Sequence, residues 1–422
     1  LDLTIAVFTR ILEDERLTRL EAGIVLQAYL PDALPALQEL TAWARQRVAG
    51  GGSGIKVRLV KGANLAMERV DAIMHGWPQA PYDTKLDTDA NYVRCLDWAL
   101  DADHAAAVRV GVAGHNLFDV AYAWLLAGER GVRERIEFEM LLGMAAGQVA
   151  AVSRDVGAVL LYVPVVRPDE FDVAISYLVR RLEENASSEN FLSAAFDLDT
   201  DPELFARERD RFLASIERST DAGLRTGPRR GQNRLQSAPD SAEPAILREP
   251  APTQEIAGLT QAVLGIAADR TEPDAHSVLF GGAEFVETAV FSPRESNAGV
   301  HGAPGFRPAA DTDPALPANR EWAQRIIERI ETSTAGDATI GGARVGDADT
   351  LERTIARVRD AAAGWGALPA ADRAVVLQAA ARSLDARRDV LIEVAASETG
   401  KVLAEADVEV SEAVDFANYY AA

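Results

Sequence analysis

Two hydrophobic periods alternate along the first half of the chain. Short, mostly apolar runs bounded by Gly or Pro recur at Gly23–Tyr29, Lys56–Gly62, Arg109–Gly114, Glu137–Leu142 and Val159–Val166. Runs of this length and composition are those of parallel strands buried on both faces. Between them, apolar residues repeat every three to four positions over Ala33–Ala49, Asn91–Ala102, Leu117–Ala127 and Gly143–Arg154, the period of amphipathic helices. Leu1–Arg19 reads as one further helix. The alternation predicts an α/β protein built of βα repeats at barrel-like spacing. A (β/α)8 barrel needs eight strands. Five are legible, so the pattern predicts a partial barrel made of the last five strands, with the others expected before Leu1.

Pro202–Thr220 reads as another charged, amphipathic helix, after which periodicity fades. Gly227–Pro252 is rich in Pro, Arg, Ser, Gln and Ala, the composition of a linker. Ile256–Ala268 is expected as a short helix and Gly281–Pro317 as extended or irregular chain. Helical periodicity returns at Asn319–Glu331, Thr350–Trp365, Pro369–Ala386, Arg388–Gly400 and Ala404–Ala421, with Gly400 placed to end a helix. Three parts follow: a partial barrel over 1–222, a linker region over 223–310 and a helical region over 311–422.

Composition narrows the function. The chain has 422 residues, 48% apolar and 26% charged, with a net charge of -22. That is enough globular sequence for two or three domains. Its acidity argues against nucleic acid or an anionic membrane as the main partner, since both require a basic footprint. The single cysteine, Cys95, excludes an intrachain disulfide framework and a cysteine-rich zinc site. His75, His104, His115, His276 and His301 lack ligand spacing, so no metal is expected. No apolar run approaches a membrane span and no signal peptide is visible; a reducing cytoplasm is the expected location. A basic cluster, Arg225, Arg229, Arg230 and Arg234, falls in the Gly-rich stretch read as linker.

Candidate chemistry gathers where a barrel places its pocket, at the C-terminal ends of the strands. The first strand end carries Gln27 and Tyr29. The second carries Arg58, closed by Lys61 and Gly62. The third ends in Gly114-His115-Asn116, the fourth carries Glu139 and Leu141, and the last carries Tyr162. Arg58 lies inside an apolar run and needs a partner or a ligand to offset desolvation. Lys61 is compatible with a solvent-facing strand end, and Thr84-Lys85 with either surface or phosphate binding. Beyond the last strand, Tyr177, Arg180, Arg181 and Glu184 share one helical face. Two adjacent guanidinium groups there can clamp a carboxylate; an ordinary solvated Arg180–Glu184 pair remains the alternative. These residues alone indicate a barrel enzyme that binds a carboxylate. A barrel binding a phosphorylated ligand and a non-catalytic interaction module are the rival readings.

Four runs carry a family resemblance: Gly23-Ile-Val-Leu-Gln-Ala-Tyr29, Lys56-Val-Arg-Leu-Val-Lys-Gly-Ala63, Gly114-His-Asn116 and Tyr177-Leu-Val-Arg-Arg-Leu-Glu-Glu-Asn185. Over about Leu1–Arg218 the chain resembles the proline dehydrogenase barrel of bifunctional proline-utilisation enzymes. The resemblance implies a flavoprotein that uses FAD to oxidise L-proline to pyrroline-5-carboxylate and passes electrons to a quinone at the membrane surface. It assigns Arg180 and Arg181 to the substrate carboxylate, with Glu184 bracing them. Leu141, Tyr162 and Tyr177 would wall the proline ring. Arg58 would sit beside the flavin and favour negative charge on its reduced form. Gln27, Val60, Gly62, Ala63, Thr84, Lys85, Ala113, His115 and Asn116 would line FAD. A substrate-side lysine and a flavin-side acid of the family belong to strands expected before Leu1. Asn64 and Leu65 stand where relatives often carry aromatic residues.

From about Asp311 the chain resembles the start of an aldehyde-dehydrogenase-fold glutamate-semialdehyde dehydrogenase. The supporting runs are Asp313-Pro-Ala-Leu-Pro-Ala-Asn-Arg320, Trp365-Gly-Ala-Leu-Pro-Ala-Ala-Asp-Arg373 and Glu398-Thr-Gly-Lys401. This part would be the N-terminal helical portion of that fold. Its NAD site and nucleophilic cysteine would follow Ala422, and Cys95 would be packing. Such parents are expected to be homo-oligomers, cytoplasmic and at most peripheral at the membrane.

Overall fold

The computed structural model describes residues 1–172, 174–175, 177, 179, 190–195, 197–236, 306 and 308–422. Arg180, Arg181, Glu184, the expected helix at Ile256–Ala268 and most of Gly281–Pro317 lie outside the described residues. The chain divides into two compact units, Leu1–Gly231 and Gln232–Ala422.

The first unit alternates strand and helix as the hydrophobic pattern requires. Its strands are β1 (Gly23–Gln27), β2 (Ile55–Val60), β3 (Val108–Ala113), β4 (Ile136–Leu141) and β5 (Val159–Tyr162). They form one parallel sheet in the order β1-β2-β3-β4-β5. Each strand lies beside the next in sequence, as in the wall of a (β/α)8 barrel. Its helices are α1 (Asp2–Leu12), α2 (Ala33–Ala49), α3 (Leu65–Met74), α4 (Lys85–Ala99), the single turn α5 (Ala102–Ala105), α6 (Leu117–Glu129), α7 (Ala146–Val156) and α8 (Pro202–Ser219).

Alternation along the strands separates two faces. Ile24, Leu26, Ile55, Val57, Leu59, Val108, Val110, Val112, Phe138 and Met140 point into a core shared with the helices, where Leu37, Leu40, Tyr92, Cys95 and Leu96 meet them. Burying side chains of this size against each other contributes about 1.5–3 kcal/mol apiece before entropy is charged. Cys95 is fully buried, as expected of a packing residue, and burial pushes its thiol up to about 12. The opposite face of the sheet bears the residues between them, including Arg58, Glu139 and Tyr162.

Several boundaries differ from the sequence pattern. The expected single helix Leu1–Arg19 stops at Leu12. Asp14 accepts the Arg16 backbone N–H at 2.9 Å and also holds the Arg16 guanidinium, starting a separate 3-10 turn at Glu15–Leu17. Arg47 then binds the carbonyls of Leu17 and Thr18, supplying partners that a continued helix would have supplied. The last strand ends at Tyr162 rather than Val166, because Pro164 has no N–H for a ladder. α3 was not legible as a helix: Met67, Val70, Ile73 and Met74 form an exposed stripe, with only Ala72 buried.

The linker expected from residue 223 is also corrected over its first 14 positions, 223–236. Arg94 donates to the carbonyls of Ser219, Asp221 and Leu224. The Tyr82 hydroxyl donates to the carbonyl of Arg225. Arg229 pairs with Asp83 at 2.8 Å, and Arg230 lies 4.8 Å over the Trp77 ring. Within the second unit, Arg234 donates to Thr312 and to the carbonyl of Ala310. Arg229, Arg230 and Arg234 of the basic cluster are therefore held in tertiary contacts, while Arg225 bonds locally to the Pro228 carbonyl at 2.9 Å.

The second unit is helical: α9 (Pro317–Ile330), α10 (Asp337–Ala343), α11 (Ala348–Ala367), α12 (Ala370–Ala386), α13 (Arg388–Thr399) and α14 (Leu403–Ala421). Trp322, Ile326, Ile392, Ala406 and Val410 form its core. Gly400 caps α13 at a positive φ of 72°, the left-handed conformation its position predicted. α10 escaped the sequence pattern because Gly341-Gly342 weakens its helical propensity.

Candidate active site

Five parallel strands bring one row of side chains to the sheet face away from the helices. The register aligns Val25 with Arg58 and Arg58 with Gly111, then Ala113 with Glu139 and Glu139 with Leu160. Two residues further along, Gln27 is aligned with Val60 and Leu141 with Tyr162. Leu141 and Tyr162 are thus neighbours at the C-terminal strand ends, and Arg58 lies on the same face of the sheet.

Arg58 has the partner its apolar surroundings require. Its Nε donates to Glu139 Oε2 at 2.5 Å, and its guanidinium carbon lies 4.6 Å from the centre of the Tyr162 ring. The Glu139 side chain is 1% exposed. Its other oxygen meets Lys56 Nζ at 2.7 Å, and Lys56 also meets Glu137 at 2.7 Å. Arg109 completes the row with Glu137 at 2.8 Å. A cation and an anion alternate across three strands, so each buried charge is paired. Among the described residues, the two terminal nitrogens of Arg58 have no hydrogen-bond partner. They remain as donors at the mouth of the sheet.

A second charged cluster lies on the helix side of the strand end. Lys61, compatible in sequence with a solvent-facing position, instead reaches Asp89 of α4 at 2.8 Å and Asp119 of α6 at 2.6 Å. It also sits 5.3 Å from the centre of the Tyr92 ring. Lys85 binds the other oxygen of Asp89. Burial opposes the Lys61 charge most strongly, but the two carboxylates together outweigh it and hold its ammonium well above the usual lysine range. Burial likewise opposes the Asp89 charge, and Lys61 and Lys85 overcome it, keeping that carboxyl below its ordinary value. For Asp119 burial prevails and its carboxyl is raised.

Several of the other predicted cofactor residues have structural roles as well. Thr84 caps α4, its hydroxyl accepting the Asp87 N–H at 3.1 Å. Asn116 caps α6 by accepting the Phe118 N–H at 3.0 Å. His115 Nε2 accepts the Leu141 N–H at 3.0 Å, tying the third strand end to the fourth. This bond makes Nε2 the unprotonated ring nitrogen. Ala63 begins the turn into α3. Gly62 has φ +122°, and a Cβ there would meet the Tyr29 ring at 2.6 Å. Gly62→Ala is expected to cost the first unit at least about 1–3 kcal/mol, read as a lowered urea midpoint; an unchanged midpoint would contradict the packing. Tyr177 is described and half-buried, but its neighbours Arg180, Arg181 and Glu184 lie outside the described residues, so the structure does not test the clamp.

Sequence reading did not pair Glu139 with Arg58, nor identify Lys56, Gly111, Asp89 or Asp119. One signal was present. Lys56 and Arg58 stand two apart on β2, Glu137 and Glu139 two apart on β4, and spacing by two puts each pair on one face of its strand. A cavity of about 860 Å³ is lined in part by Leu117 of α6, Gln148 of α7 and Phe205 of α8; among the described residues, no predicted site residue lines it.

A parallel βα sheet with strands in sequential order is the wall of a barrel, and the matches to known families agree. Residues 1–194 match the family described as proline dehydrogenase, and residues 322–422 match the aldehyde dehydrogenase family. The two regions stand in that order along one polypeptide, and the chain aligns with PutA proteins across both. It is 27% identical over 417 residues to the bifunctional protein PutA of Salmonella typhimurium, covering 94% of this chain and 27% of that protein. Human mitochondrial proline dehydrogenase 1 is 34% identical over 184 residues, 42% of this chain and 29% of the relative. The structure of proline utilization A from Corynebacterium freiburgense superposes with a TM-score of 0.64 at 37% identity, over all of this chain and 33% of that one. The chain thus spans about a quarter to a third of the length of its PutA relatives.

Proposed function

We propose that the first unit forms the substrate and flavin side of an FAD-dependent proline dehydrogenase that converts L-proline to pyrroline-5-carboxylate. In the whole protein, an NAD-dependent dehydrogenase then oxidises glutamate semialdehyde to glutamate. The carrying observation is the Arg58 guanidinium, fixed by Glu139 beneath Tyr162 at the strand ends, in a segment that matches the proline dehydrogenase family.

The residues present fit a flavin. Arg58 offers two uncommitted charged donors, and Val60 and Ala113, on the same face of the sheet, are small and apolar. FAD, when bound, supplies the acceptor for the hydride that proline gives up. Arg58 would face that acceptor and stabilise added negative charge. Leu141, Tyr162 and Tyr177 would enclose the proline ring and exclude water. Arg180 and Arg181 would hold its carboxylate by paired donors, with Glu184 fixing their orientation. Gln27, Gly62, Ala63, Thr84, Lys85, His115 and Asn116 would shape the remainder of the cofactor cleft. Electrons would leave to a quinone. Among the described residues no helix is long and apolar enough to cross a membrane. NAD would serve the second region, and the whole protein would be a homo-oligomer.

Proline-dependent reduction of bound flavin by the protein containing this chain tests the proposal; the absence of bound flavin would overturn it. Arg181→Ala is expected to weaken proline binding by about 1.5–3 kcal/mol, the scale of a lost hydrogen bond to a charged group. That corresponds to roughly a 10- to 150-fold rise in half-saturating proline. Unchanged saturation would remove Arg181 from the clamp.

A further inference from the structure

We infer that Glu139 is a positioning residue that aims Arg58 at the cofactor, and that Gly111 exists to make room for it. The inference rests on the proposal that Arg58 faces a flavin. Three observations carry it. Glu139 is the buried carboxylate that engages Arg58, through Nε. Binding there leaves both terminal nitrogens pointing beyond the pair, whereas a bidentate grip on those nitrogens would have consumed them. Lys56 holds the second oxygen of the same carboxylate at 2.7 Å, so the acid cannot swing toward the mouth. Gly111 lies opposite Arg58 in the sheet register, and a Cβ on it would stand 2.3 Å from Glu139 Oε1.

A glycine inside a strand is otherwise a weakness, since it packs nothing and costs backbone entropy. Here φ is not positive, so the backbone does not demand glycine. The side-chain space does. Lys56, Glu139 and Gly111 thus form a bracket on three successive strands. Its product is a guanidinium of fixed direction, stacked against Tyr162 at 4.6 Å. A carboxylate that served only to balance charge would not need this geometry.

The two roles predict opposite electrical effects. If Glu139 only neutralised Arg58, every neutral substitution would strengthen the positive field and favour the reduced flavin. If Glu139 aims Arg58, Glu139→Ala releases the guanidinium and disfavours the reduced flavin, as Arg58→Met would. Glu139→Gln keeps an oxygen for Nε and should preserve the aim.

The experiment uses two readouts. In the flavin-free protein, proton exchange at the Arg58 Nε–H is followed by NMR. It is expected to be slow in the wild type and in Glu139→Gln, and fast in Glu139→Ala and Gly111→Ala. In the FAD-loaded protein, the flavin potential is expected to fall in Glu139→Ala, in the same direction as in Arg58→Met, and not to fall in Glu139→Gln. A tenfold loss of preference for the reduced flavin reads as about 30 mV for a two-electron couple. A rise in potential in Glu139→Ala, or equal Nε–H exchange in wild type and Glu139→Ala, overturns the inference. If Glu139→Ala does not fold, Glu139→Gln decides: fast exchange or a lowered potential in that variant overturns it. A wild type that holds no flavin defeats the flavin proposal instead, and the exchange measurement still decides whether Glu139 fixes Arg58.

Discussion

Lys61→Met is expected to destabilise the first unit by about 2–4 kcal/mol near pH 8, measured by urea unfolding, and by clearly less near pH 5. Lys61 is the cation shared by Asp89 and Asp119, whose side chains are only 9% and 7% exposed. Breaking a fully buried pair typically costs about 3–5 kcal/mol, because the remaining charge is left unpaired. Lys61 keeps 24% of its surface exposed, so part of that cost is screened and the lower range applies. Methionine retains the packing of the stem while removing the charge.

The pH dependence follows from the direction of each shift. Asp119 is already raised by burial in spite of Lys61. Without the cation it rises further, so as pH falls it takes up a proton before the unfolded chain does and avoids ionised burial. As pH increases, the unfolded chain ionises Asp119 more readily than the folded one, and folding loses stability. In the wild type, Lys61 has a raised value, so its contribution is complete below the unfolded value of about 10.4. It is lost only as pH climbs through the folded value. Asp89 is depressed, and its contribution is present above about 3.9 and lost as pH falls through the folded value. The variant's deficit should therefore grow between pH 5 and pH 8, because its Asp119 is raised further than the wild type's while the wild-type Lys61 and Asp89 contributions are flat there. A deficit that does not vary with pH would exclude this assignment of the cluster. Asp119→Asn added to Lys61→Met should recover part of the loss, as expected for contacting residues.

Arg388→Met should cost the second unit about 3–5 kcal/mol, with little effect on unfolding of the first. Arg388 is 2% exposed and sits at the N-terminus of α13, where a cation is opposed by the helix dipole. Its position is tolerated because one guanidinium nitrogen meets Asp407 Oδ1 at 2.8 Å, the Asp407 carbonyl at 3.0 Å and Ser411 Oγ at 3.0 Å. Asp407 in turn accepts the Thr312 N–H at 2.6 Å and its hydroxyl at 2.7 Å. Removing Arg388 leaves the buried Asp407 carboxylate without its cation, held only by its bonds to Thr312. Thermal unfolding with a probe on Trp322, in the core of this unit, reads the effect directly. Unchanged unfolding there would show that the network is dispensable.

The legible part of the site follows strand alternation. Arg58, Leu141 and Tyr162 could be placed at strand ends because an apolar run with a bounded end gives both the direction and the face of each side chain. The α2 boundaries Ala33–Ala49 were equally plain, since an unbroken helical period runs between Pro31-Asp32 and Gly50-Gly51-Gly52. Residues 223–236 misled for the opposite reason. Their Gly, Pro and Arg content is that of a linker, yet Arg229 and Arg234 find acceptors far away in sequence that no local pattern announces.

By itself the sequence determined the order of strands and helices, the parallel sheet, the buried state of Cys95 and the polar residues at the strand ends. These depend on period and composition, which act within a few residues of each position. Only the tertiary structure decided which charges meet. Glu139 is 81 residues from Arg58, and Asp89 and Asp119 approach Lys61 from two different helices. Such pairs are set by sheet register and helix docking, and Coulomb attraction selects partners by distance in space, not along the chain.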